Sequence, residues 1–161
     1  MATLTVWKFS TPGGAGEAST RLQELVGQGV VVVHDAATVS WEPAANTPET
    51  RQLPGAAAGT LGSSFWGLLF GLIFLVPLLG AAIGDATGAI GGSLTDVGID
   101  DTFINKVRDQ ITPGTSALFV LSPDAALHAL DAALIVNRPV ERLLTSLSVE
   151  QEEALRWVFT R

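Results

Sequence analysis

His34-Asp35 is the one place in this chain where an imidazole stands beside a carboxylate, the combination in which an acid orients a general base. No nucleophile is tied to it by a recognisable spacing, and the second histidine, His128, stands among alanines and leucines. Both read as structural. Gly13-Gly14-Ala15-Gly16 lies between a strand-like and a helical segment, where a phosphate loop would lie, but it lacks the G-x-x-x-x-G-K-[ST] and G-x-G-x-x-G spacings and no lysine follows it. It reads as a permissive turn. No H-x-x-x-H or H-E-x-x-H spacing occurs, and the absence of cysteine removes thiolate catalysis and Cys-based metal sites. The sequence therefore predicts no catalytic, cofactor-binding or metal-binding residue, and no enzymatic activity.

The specific pattern is one of assembly. Gly55, Gly59, Ser63, Gly67 and Gly71 recur every fourth residue, and so do Gly80, Gly84, Gly88 and Gly92. Residues four apart share a helix face, and small side chains there let two backbones approach closely enough for extensive dispersion contact. Pro77 lies between the two series and supplies a turn, because proline removes a helical hydrogen bond and clashes with the preceding turn. The expectation is a glycine-zipper hairpin of two apolar helices.

These series have to be held by the elements around them. Leu4 to Phe9 alternates as a half-buried strand. The Pro12 turn leads into a helix with Ala18, Leu22, Leu25 and Val26 at helical spacing, stopped by Gly27 or Gly29. Val30 to Val33 and Ala37 to Trp41 read as extended chain, which turns through 43–48 into Glu49 to Leu53 as a hairpin arm. Asp101 to Ile111 is an amphipathic helix with Asp100 or Asp101 as its cap and Pro113-Gly114 as its end. Ala117 to Leu121 is a strand. Ser122-Pro123 is taken as an N-cap followed by a first-turn proline, opening a helix with Leu127, Leu130 and Leu134 on one face. Val140 to Leu147 is a strand, and Ser148-Val149-Glu150-Gln151 is a capping box opening a last helix.

Without the middle segment the order is that of a ferredoxin-like βαββαβ sandwich in the α+β class. The expected organisation is a first half at 1–53, an inserted zipper hairpin at 54–99 and a second half at 100–161. Phe65 to Ile83 is an apolar run of transmembrane length, but a single span would place the two halves of the sheet on opposite faces of a membrane. The segment must turn back. Its second limb is small and polar and carries Asp85 and Asp96, which makes it a poor spanning helix alone. Trp66 fits either a membrane interface or bundle packing.

The chain has 161 residues, a formal net charge of -7 and only nine Lys and Arg residues, scattered singly, so a nucleic-acid partner is not expected. The opening residues contain no basic and apolar leader, so no signal peptide is expected. The partner expected is the protein itself as a homo-oligomer, with a lipid bilayer as the setting and the α+β domain cytoplasmic; the alternative is a soluble cytoplasmic ring or tube with buried hairpins. A small-molecule-sensing module is a further reading, from analogy of fold alone.

Val6-Trp7-Lys8-Phe9, the Pro12 turn and its helix, Thr50-Arg51-Gln52, the zipper hairpin, Pro113-Gly114-Thr115-Ser116-Ala117 and the closing strand and helix together carry a likeness. In that order of elements the chain resembles a bacterial family of uncharacterised predicted membrane proteins. The resemblance implies the same layout and carries no assigned activity, cofactor or catalytic residue.

Overall fold

The computed structural model describes residues 2–53, 66–67, 69–75, 99–151 and 153. β1 (Ala2–Phe9) is rich in Thr, Val, Trp and Phe and pairs on both sides, so that every residue from Ala2 to Trp7 is buried. Its alternating pattern led us to expect one wet face. Instead helices cover both faces, and Thr3 and Thr5 are buried along with Leu4 and Val6.

α1 (Gly14–Gly27) buries Ala15, Ala18 and Leu22, which recur at helical spacing. Gly14 is required where the helix starts, because a Cβ there would lie 2.5 Å from Phe9 Cβ. The helix closes in a Schellman arrangement: Val30 N donates to Leu25 O, Gly29 N donates to Val26 O, and Gly29 takes φ +75°. That left-handed turn is why Val30 to Val33 do not form the expected extended strand. They run as irregular chain, and β2 begins only at Asp35 (Asp35–Ser40).

β3 (Glu49–Gln52) folds back on β2 in antiparallel register, from Ala37 opposite Gln52 to Ser40 opposite Glu49. α2 (Asp101–Gln110) starts on Asp100, whose side chain accepts from Phe103 N at 3.0 Å, and it buries Phe103, Ile104 and Val107. Gly114 (φ +87°) then turns the chain into β4 (Ser116–Pro123).

Ser122 and Pro123 belong to β4 and do not cap a helix. Their pairing with Thr3 and Ala2 prolongs the strand, a 3-10 turn follows at Asp124–Ala126, and α3 starts at Leu127 (Leu127–Leu134). The hydroxyl of Thr3 donates to the Asp124 carboxylate and ties this turn to the sheet. β5 (Glu141–Leu147) completes the sheet, and the expected capping box forms beyond it: Gln151 N donates to Ser148 Oγ at 3.1 Å and Ser148 N donates to Gln151 Oε1 at 2.9 Å.

The strand order is β3-β2-β4-β1-β5, antiparallel throughout, in an α+β architecture. α1 and α3 cover the face carrying Trp7, Phe9, Ala36, Leu118 and Val120. The other face carries Leu4, Val6, Val39, Phe119 and Leu121 and packs against α2 and residues 66–75. Both cores depend on strands from each half of the chain.

Candidate functional site

Residues 66, 67, 69 and 70 are helical and run into a π-helical turn at Gly71–Leu75. Trp66, Leu69, Phe70, Ile73 and Phe74 recur at helical spacing, and all five are buried against the sheet. Trp66 stacks on Phe70 with centroids 5.8 Å apart, and Phe119 of β4 meets Phe70 edge-on at 5.0 Å. Trp41, just past β2, meets Phe74 edge-on at 6.1 Å. Trp66 packs on the sheet, a role beyond the membrane interface and bundle packing expected of it.

Gly67 and Gly71, four residues apart, lie at the flank of this segment next to β3, Gly67 exposed and Gly71 half-buried, and both reach the groove shared with that strand. Among the described residues nothing lies within 4 Å of a Cβ built at either position. Beside them is a groove of about 180 Å³ lined by Pro48, Thr50, Phe70 and Phe74. Gly55, Gly59, Ser63, Gly80, Gly84, Gly88, Gly92, Pro77 and Asp85 lie outside the described residues, so of the two glycine series only Gly67 and Gly71 are described. No helix among the described residues is long and apolar enough to cross a membrane.

The groove borders the edge strand β3. Leu53 N donates to Ala36 O at 3.0 Å, so Leu53 turns its backbone groups toward β2. By the alternation of an antiparallel ladder Glu49 and Arg51 do the same, while the backbone N–H and C=O of Thr50 and Gln52 point away from the sheet. Thr50 lies on the Phe70 face. Glu49 and Arg51 project to the opposite face, where they line a cleft of about 380 Å³ with Ser19, Thr38 and Ser40.

His34 and Asp35 adjoin where the chain enters β2, while His128 and Gly13–Gly16 lie on other elements. Asp35 is buried, and its carboxylate accepts from Ala36 N at 2.9 Å and from Gln52 Nε2 at 3.3 Å, which fixes the β2–β3 hairpin. His128 is exposed on α3. At Gly13–Gly16 the first helical amides are taken within the protein, Gly14 N donating to Thr11 O and Ala15 N to Ser116 Oγ. No three His, Asp or Glu side chains among the described residues converge as metal ligands would.

Two features escaped the sequence reading. Asp131 accepts from the buried Trp7 Nε1 at 3.1 Å and pairs with Arg142, which joins α3, β1 and β5 at one carboxylate. No local spacing signals that node, since Trp7 and Asp131 are 124 residues apart and Arg142 lies on a different element from either. The second is the sheet-facing stripe from Trp66 to Phe74. Its period was visible within the apolar run, but the partner surface on Phe119 was not.

Comparison with curated proteins and with solved structures gives no match. The profile of one family, described as a protein of unknown function (DUF1269), matches residues 56–160, which takes in the 66–75 segment, α2, β4, α3 and β5. On that match, which covers more than half its length, the chain belongs to the DUF1269 family.

Proposed function

We propose that this protein is a non-enzymatic, self-assembling structural protein built on a ferredoxin-like unit, whose association runs through the small-residue face at Gly67 and Gly71. The observation that carries the reading is the division of the 66–75 segment. Its large apolar residues are used against its own sheet, while no described atom lies within 4 Å of a Cβ at either of its two glycines. Backbone exposed at glycine on a helix surface is the kind of face on which a second helix packs closely.

The ferredoxin-like reading is supported by the order β2-β4-β1-β5, with α1 connecting β1 to β2 and α3 connecting β4 to β5. β3 is then an addition at one edge. Residues 66–75 and α2 occupy the sheet face that such a unit leaves open.

Burial of five large residues of the apolar run inside the protomer favours a soluble homo-oligomer in the cytoplasm. The membrane reading, with the α+β part on the cytoplasmic side, rests on the uncharged length of Phe65 to Ile83. Cell fractionation followed by a carbonate wash and sizing with and without detergent separates the two. Recovery as a discrete large particle without detergent supports the soluble assembly, and retention in washed membranes supports the bilayer.

The doubly substituted chain Gly67→Leu, Gly71→Leu is expected to lose assembly while its α+β unit melts as before, since no described atom obstructs either position. An unchanged oligomer would refute the role of this face.

A further inference from the structure

We infer that β3 is a self-pairing edge: two copies of the chain join their sheets through antiparallel β3 strands related by a two-fold axis at Thr50. The inference rests on the self-assembly reading and adds to it a contact through the backbone edge of β3.

Three observations converge on it. Among the described residues no strand lies beyond β3, so its outward backbone groups form a free template for another strand. Those groups belong to Thr50 and Gln52, with the carbonyl of Pro48. In a two-fold pairing Thr50 therefore faces Thr50 of the second copy as a hydrogen-bonded pair, each N–H donating to the other's C=O, and each Gln52 N–H meets the opposite Pro48 carbonyl. Proline supplies its carbonyl there but no N–H, so the ladder ends at Pro48 with one hydrogen bond fewer on each side.

Charge then selects this register. With Thr50 on the axis, Glu49 of each copy stands opposite Arg51 of the other, twice, in the non-hydrogen-bonded positions where cross-strand side chains are closest. A shift to either neighbouring register that keeps the faces matched sets Glu49 against Glu49 or Arg51 against Arg51. Like charges directly opposite are destabilising. Both side chains are exposed and project to one face, and neither has an ion-pair partner among the described residues. The strand Glu49-Thr50-Arg51 is thus complementary to itself read backwards.

On the other face, the groove lined by Pro48, Thr50, Phe70 and Phe74 meets its own mate across the axis. That contact adds apolar surface, which a four-residue strand alone would lack, while the paired charges set register more than affinity.

The test is a charge-swap series on the full chain, read by sedimentation equilibrium with the melting temperature as a control for folding. Glu49→Arg and Arg51→Glu, each alone, place like charges opposite one another and are expected to raise the dissociation constant of self-association at least about tenfold. The double variant Glu49→Arg, Arg51→Glu restores the pairing and is expected to return within about threefold of the unsubstituted chain, since the two changes then compensate across the interface. Single variants that associate as the unsubstituted chain does, or a double variant as weak as the singles, overturn the edge pairing. Measured beside them, the Gly67→Leu, Gly71→Leu chain alters both the glycine face and the groove it shares with β3, so the charge series alone isolates the strand pairing. An unsubstituted chain that sediments as a monomer sinks both proposals, whereas an oligomer indifferent to the charge series sinks only this one.

Discussion

Asp131 shows how one side chain can hold three elements. Its carboxylate accepts from the indole of Trp7, which is buried beneath α3, and its other oxygen holds Arg142 on the edge strand β5. The two bonds have unequal consequences. Asp131→Ala leaves a buried N–H without an acceptor and is expected to cost about 1–3 kcal/mol in urea unfolding. Arg142→Ala removes only the half-exposed arm of the pair and should cost less than about 1 kcal/mol. At the other end of β5, Ser148→Ala removes the acceptor of Gln151 N and should cost about 1 kcal/mol. That last residue was legible from sequence because a capping box is a matter of spacing over four positions. Asp131 was not, because its partners are set by the sheet order.

At the level of elements, periodicity identified type more reliably than partner. The helix at Asp101–Gln110, its Asp100 cap and the hairpin of β2 with β3 are all where local pattern puts them. The misreadings share a cause. Val30 to Val33 are as β-prone as any strand residues, but the left-handed Gly29 leads them past the sheet instead of into it. Ser122-Pro123 has the form of a helix start, yet strand pairing with Thr3 and Ala2 is the stronger claim on those residues. Within the run from Phe65 to Ile83, the described residues Trp66, Leu69, Phe70, Ile73 and Phe74 meet the sheet, a partner that hydropathy does not distinguish from lipid or from another helix. Trp66→Ala and Phe70→Ala each remove ring contacts with Phe119 and are expected to destabilise the α+β unit by about 3–5 kcal/mol in thermal or urea unfolding. Unfolding curves that match the parent would mean that this segment is not part of the core.

For the molecule as a whole, the matched region at 56–160 is not a unit that can close by itself. β4 and β5 both lie within it, but they flank β1, which does not. A fragment restricted to 56–160 would lack the strand between them and expose the apolar faces of both, so it should show no cooperative unfolding transition by circular dichroism. Adding residues 1–55 as a separate peptide is expected to restore one, because β1 supplies both missing ladders. The candidate surfaces lie at the periphery of this arrangement, on β3 and on the adjoining flank of the 66–75 segment.

The placement of β1 also bears on how the chain is made. The strand that lies between β4 and β5 leaves the ribosome long before either of them, and both of its hydrogen-bonding edges wait unsatisfied while the apolar middle of the chain is synthesised. Nearly all its stabilising pairs are distant in sequence, so closure is slow and late, and the nascent chain stays exposed to its neighbours on the polysome. A protein that assembles with copies of itself by edge strand and glycine face would meet those copies first there, as unfinished chains.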